Sequence, residues 1–161
     1  MSRKDAVLTV FNDPIVAERD LHWKQGRRQI LDGMLGLVKN YPPKGKAYTL
    51  KEARFFVYMA SLQYLSHEVP EFVQGELDAG REVDLDRFPS VRAMSYVVFY
   101  KFYADRRRAM LSDVFDILIS TALPYVDTVI TESHLAEVVR RVKRRDGLFG
   151  QLEIATLKDL R

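Results

Sequence analysis

The spacing of apolar positions along this chain is helical over most of its length and changes character near residue 110. Asp13-Pro14 reads as an N-cap followed by proline at the first helical position, opening a helix that runs to about Lys39. The stretch YPPKGK, Tyr41–Lys46, breaks the pattern. Thr49 then opens a second helix with Glu52 at the capping-box position, continuing to about Ser66. The segment GELDAGREVDLDRFP predicts a polar, acidic loop with one helical turn inside it. Ser90 opens the next helix, VRAMSYVVFYKFYADRR.

From there the rhythm alternates. Asp113–Leu123 predicts a short buried helix, and Val126–Thr131 a buried strand, because its β-branched residues suit a pleated surface. Between His134 and Arg145, Leu135, Val138, Val139 and Val142 fall at helical spacing and form one apolar face. Gly147 and Gly150 end that helix, and QLEIATL predicts a last strand. The expected fold is α/β: predominantly helical, with a small parallel sheet in the C-terminal third. The chain reads as a single domain over 1–161, mainly helical over 1–108 and α/β over 109–161.

Two helical stretches, LKEARFFVYMASLQYL and MSYVVFYKFY, carry little polar surface on any side. Such helices are either central to the core or leave a face for a partner, and both readings stay open. The composition adds little: 161 residues with 47% hydrophobic and 29% charged content belong to an ordinary globular protein. A net charge of +3 permits a polyanionic partner without requiring one. There is no cysteine, which removes disulfides, thiolate metal sites and cysteine nucleophiles. With no secretory pattern and no apolar run near the roughly 20 residues that span a bilayer, the expectation is a cytoplasmic protein with no membrane partner.

Several chemistries are excluded by motif. There is no phosphate-binding GxxxxGK[ST], no GxGxxG after a strand and no GxSxG nucleophile elbow. HEVPE at His67–Glu71 begins like a zinc-peptidase helix, but Glu71 replaces the second histidine and Pro70 interrupts the helix. His22, His67 and His134 are far apart. The acidic run Glu76–Asp86 lacks the spacing of a calcium loop.

Two clusters remain. Arg140, Arg141, Arg144 and Arg145 lie on the polar side of a helix, either as a solvated end favoured by the helix dipole or as a stripe for phosphates. Asp113 and Asp116 are three apart, on one helix face, and Glu132 follows the predicted strand at its carboxyl end, where parallel sheets bind ligands. Oxygen ligands of this kind suit Mg²⁺ or Mn²⁺, which can acidify water and neutralise a phosphodiester. The same two aspartates also suit capping of their own helix.

The stretch SDVFDILISTALPYVDTVITESHLAEVV resembles the C-terminal half of PIN domains, a metal-dependent nuclease fold. In that family an acid opens a helix of this type, and a strand then runs into a Thr-acid turn. The resemblance covers Ser112 to Leu160 and implies that Asp113, Asp116 and Glu132 hold Mg²⁺ or Mn²⁺ for cleavage of single-stranded RNA. The first acid of the family pattern, at the end of an N-terminal strand, has only Asp13 in AVLTVFND as a candidate, and the second only Glu18 or Glu52. The expectation is therefore a PIN-like ribonuclease, or a degenerate or truncated relative that self-associates or needs a partner chain over its apolar helices. The alternative is a non-catalytic helical interaction module whose acids are caps.

Overall fold

The computed structural model describes residues 14–159, with side-chain surroundings from residue 24 onward. Asp13 and the AVLTVFND segment, together with the side chains of Glu18 and His22, lie outside the described residues. Helix α1 spans Pro14–Asn40 and stops at the Tyr41-Pro42-Pro43 break. Helix α2, Leu50–Glu68, starts with both halves of a capping box. The Glu52 amide donates to the Thr49 hydroxyl at 3.2 Å, and the Thr49 amide to the Glu52 carboxylate at 2.9 Å. Glu52 is thus a capping acid, also paired with Lys44, and takes no part with Asp113.

Pro70 ends α2 but also starts a further helix, because its missing N–H costs nothing in a first turn. Helix α3, Pro70–Asp78, therefore occupies the start of the segment expected to be loop. It is held by a small apolar cluster of Leu65, Val73 and Val83, with Phe72 packed edge-on to Phe88. Gly80, at φ +67, turns the chain out of it. The one helical turn expected in the loop is the 3₁₀ turn Leu85–Arg87, capped by the Asp84 carboxylate.

Helix α4, Pro89–Val98, continues into a π-helical turn at Phe99–Ala104. Tyr96, Val97, Phe99, Tyr100, Phe102 and Tyr103 are all buried there, and Phe56 packs on Tyr103 at 4.2 Å between ring centres. This is the core helix of the two left open by sequence. Helix α2 is the other kind: it buries one stripe, Ala53, Val57, Ser61 and Leu65, and exposes the opposite one.

The C-terminal region is α/β. Helix α5, Asp113–Ala122, leads through the 3₁₀ turn Leu123–Tyr125 to strand β1, Thr128–Thr131. Helix α6, Ser133–Asp146, then crosses to strand β2, Glu153–Thr156. The strands pair in parallel, from Thr128 opposite Glu153 to Thr131 opposite Thr156. Leu135, Ala136, Val138, Val139 and Val142 of α6 are fully buried, and Gly147 closes the helix at φ +69. β1 is shorter than expected and only half buried. Val129 and Ile154 reach the core, whereas Val126 and Ile130 face outward, because α6 covers a single face of the sheet.

The capping box sets where α2 begins. Replacing Thr49 by alanine removes one half of it and is expected to cost about 1 kcal/mol of stability. Urea denaturation of the two proteins measures the difference.

Candidate functional site

Asp113 and Asp116 stand in the first turn of α5, one helical turn apart, and both are buried. The helix N-terminus favours negative charge there. One Asp113 oxygen accepts the Met110 amide at 2.8 Å, an i−3 contact that ties the preceding turn to the helix. The other faces Lys101, whose ammonium lies 2.8 Å away. Asp116 contacts the same ammonium. Lys101 comes from the π-helical turn and is fully buried. Removing a lone charge from water is strongly unfavourable, so the three groups depend on one another.

Glu132 does not join them. It sits at the N-cap position of α6, exposed, and makes no capping hydrogen bond. Among the described residues no set of three or more histidine, aspartate or glutamate side chains could hold a metal ion. The expected triad of Asp113, Asp116 and Glu132 is therefore not assembled, and these side chains as they stand do not fit Mg²⁺ or Mn²⁺. The physical reason is Lys101, whose ammonium already contacts both aspartates. A lone lysine inside YVVFYKFY, surrounded by aromatic and β-branched residues, is the signal that marks it in the sequence.

Beside this pocket lies a second ionic network. The Arg141 guanidinium donates twice to Asp105, at 2.8 and 2.5 Å, and stacks 5.2 Å from the Tyr100 ring centre. The His134 Nε2 approaches Asp105 at 3.4 Å, while its buried Nδ1 has no hydrogen-bond partner. Burial raises the Asp105 pKa, but the Arg141 hydrogen bonds overcome this and leave it lowered. Burial, helped by the Arg107 and Lys101 cations, holds the His134 imidazole below its usual value.

Of the stripe expected to meet phosphate, Arg141 is engaged inside the fold, while Arg140, Arg144 and Arg145 keep exposed surface. Arg140 donates to the Ile154 carbonyl at 3.1 Å, Lys143 to the Leu152 carbonyl at 2.9 Å, and Arg144 pairs with Glu137 at 3.3 Å. Arg140 and Lys143 thus tie α6 to the β2 region and Arg141 ties it to the chain just after the π-helical turn, whereas the Arg144–Glu137 pair lies within α6 on its exposed side. Arg145 is exposed. At the inner end of the helix, Asp146 accepts the Tyr96 hydroxyl at 2.9 Å, and burial ahead of that contact pushes the phenol up to about 12.

A broad concave feature lies elsewhere. A cleft of about 830 Å³ runs between the end of α1, the 41–48 turn and the outer stripe of α2. Leu37, Tyr41, Phe55, Met59 and Leu62 line it, and Phe56 and Tyr103 form part of its wall. Phe55 is 66% exposed, Tyr41 64% and Met59 46%. Lys44 and Lys51 border it, and the acid lining it, Glu52, is already paired with Lys44.

The His134 imidazole has a folded pKa below its unfolded value near 6.5, so the unfolded chain binds its proton first. Its contribution to stability is complete above about pH 6.5 and is lost as pH falls through that window, whereas Asp105 acts only below its own usual value near 3.9. Melting curves between about pH 7 and pH 5 should therefore slope downward on acidification, and His134→Gln should flatten that slope. No protein-family model, curated protein or solved structure gives a significant match to this chain.

Proposed function

We propose that this protein is a non-catalytic, mostly helical interaction module that binds an amphipathic helix of a partner protein in the α1–α2 cleft. The observation that carries the reading is the exposed aromatic stripe of that cleft. Large apolar side chains left open to water in a contiguous groove mark an interface more often than an accident of packing. Phe55, Met59, Leu62 and Ser66 recur along α2 at steps of four, three and four residues. They form a strip roughly 16 Å long at about 1.5 Å per residue, which suits the apolar face of one partner helix.

Charge narrows the occupant. Lys44 and Lys51 border the cleft, Lys46 lies in the same turn, and Glu52 is neutralised by Lys44. The rim is left with excess positive charge. A partner helix with aspartate or glutamate beside its apolar stripe complements it, whereas a second copy of this rim would be repelled. The likeness of Ser112–Leu160 to PIN domains fits this reading as ancestry. On this reading the acid-bearing helix and the strand into Thr131-Glu132 are what the resemblance rests on, while Asp113 and Asp116 contact Lys101 and serve the fold.

A labelled amphipathic peptide with glutamates flanking a leucine face is the probe, and the same peptide with lysines in their place is its control. Fluorescence anisotropy should show the acidic peptide binding, with affinity lost at least tenfold in Phe55→Glu plus Met59→Glu. Equal binding of both peptides, or binding unchanged by the substitutions, would count against the cleft. Sedimentation showing a dimer abolished by the same substitutions would assign it to a second copy. Cleavage of single-stranded RNA that requires Mn²⁺ and disappears in Glu132→Gln would restore the nuclease reading. For RNA binding, each phosphate contact adds roughly 0.7 to the log–log salt slope. Changing Arg140, Arg141, Arg144 and Arg145 to glutamine should flatten that slope where the stripe meets phosphate, and a slope unchanged by the substitutions would assign the cluster to solvent.

A further inference from the structure

We infer that the Lys101 ammonium is the resident cation of the acid pocket at the head of α5, filling a latent divalent-cation site and making this part of the fold independent of metal. The pocket is built rather than accidental. Lys101, Asp113 and Asp116 are all buried, and the lysine contacts one oxygen of each carboxylate, at 2.8 Å for Asp113. The second Asp113 oxygen is held by the Met110 amide, which fixes the direction of the first. Two carboxylates from adjacent turns, each presenting one oxygen to a common point, form the protein half of a Mg²⁺ or Mn²⁺ site, which usually takes one or two carboxylates and completes itself with water.

Charge leads to the same place. Two carboxylates and one ammonium leave one negative charge uncompensated within the trio, whereas a divalent ion would balance the pair completely. What excludes the ion is the lysine side chain. Its backbone is fixed in the π-helical turn, with the Lys101 carbonyl accepting the Arg107 amide at 3.0 Å. Lys101 and its neighbours Tyr100 and Phe102 are buried, so the stem is packed in place, and only Asp116 of the trio keeps a partly exposed side chain. Shortening Lys101 to alanine removes both the competing charge and the volume of the stem between the two carboxylates, of which Asp113 is held in direction by the Met110 amide. This inference concerns α5 and is independent of what occupies the α1–α2 cleft.

The test is thermal unfolding of the full chain with Mn²⁺, with a chelator, and with neither. The native protein should melt at one temperature in all three. Lys101→Ala, left with unpaired buried carboxylates, should melt about 10 °C lower without metal. A saturating excess of Mn²⁺ should raise that variant by at least about 5 °C, and the same ionic strength of NaCl should not. Lys101→Ala combined with Asp113→Asn and Asp116→Asn should ignore Mn²⁺. If Lys101→Ala is unfolded without metal, recovery of its helical circular dichroism on adding Mn²⁺ supports the inference, and failure to recover overturns it. A native protein whose melting temperature rises with Mn²⁺, with the rise lost in Asp113→Asn, would also overturn it, because the pocket would then admit metal with the lysine in place.

Discussion

The contact of one buried ammonium with two buried carboxylates decides how the two regions of this chain are joined. Lys101 belongs to the helical region and the aspartates to the α/β region, so the ionic trio is a cross-link between them. Its net worth over an apolar substitute is small or even negative, since three groups lose their water. Its value is conditional: once two of the groups are buried, the third cannot leave without stranding charge, at about 3–5 kcal/mol for breaking such a pair. The arrangement therefore ties α5 to the π-helical turn by charges that depend on one another, in addition to apolar packing.

The π-helical turn makes this possible. With wider spacing than an α-helix, Phe99–Ala104 directs Lys101 into the acid pocket, Phe99 against Tyr48 and Tyr103 toward α1, where its hydroxyl meets the Leu37 carbonyl at 3.3 Å. One short turn thus contributes to the acid pocket, to the core and to the wall of the cleft. The chain leaves it through Arg106, at φ 52, and passes Asp105 and Arg107 beside His134 on the way to α5.

Helix α6 holds the other side by two different means. Its apolar face is fully buried, and its basic face is tied to Asp105 and to carbonyls of the β2 region. A two-stranded parallel sheet has little stability of its own, so these clamps and the burial of Val129 and Ile154 keep β1 and β2 in register. Of the basic stripe, Arg141 is thereby taken up by the fold, whereas Arg144 and Arg145 stay exposed. The α1–α2 cleft, by contrast, exposes aromatic surface that nothing in the described residues covers.

Sequence by itself determined the local structure. The Thr49–Glu52 capping box, the proline at the head of α1, the apolar spacing of α6 and the glycine at its end depend on neighbours within a turn or two, so α2, α6 and the helix–strand–helix–strand order could be read directly. Asp113 and Asp116 could be placed on one helix face for the same reason. Tertiary structure alone decided what those carboxylates meet. Lys101 is 12 residues before Asp113, on a different element, and only the crossing of α4 with α5 brings its ammonium between them. The fate of Glu132, the engagement of Arg141 by Asp105 36 residues away, and the exposed side of α2 were likewise beyond the pattern. Periodicity shows that a face is apolar or charged; which surface or counter-ion it finds depends on packing between distant segments, and no local spacing records that.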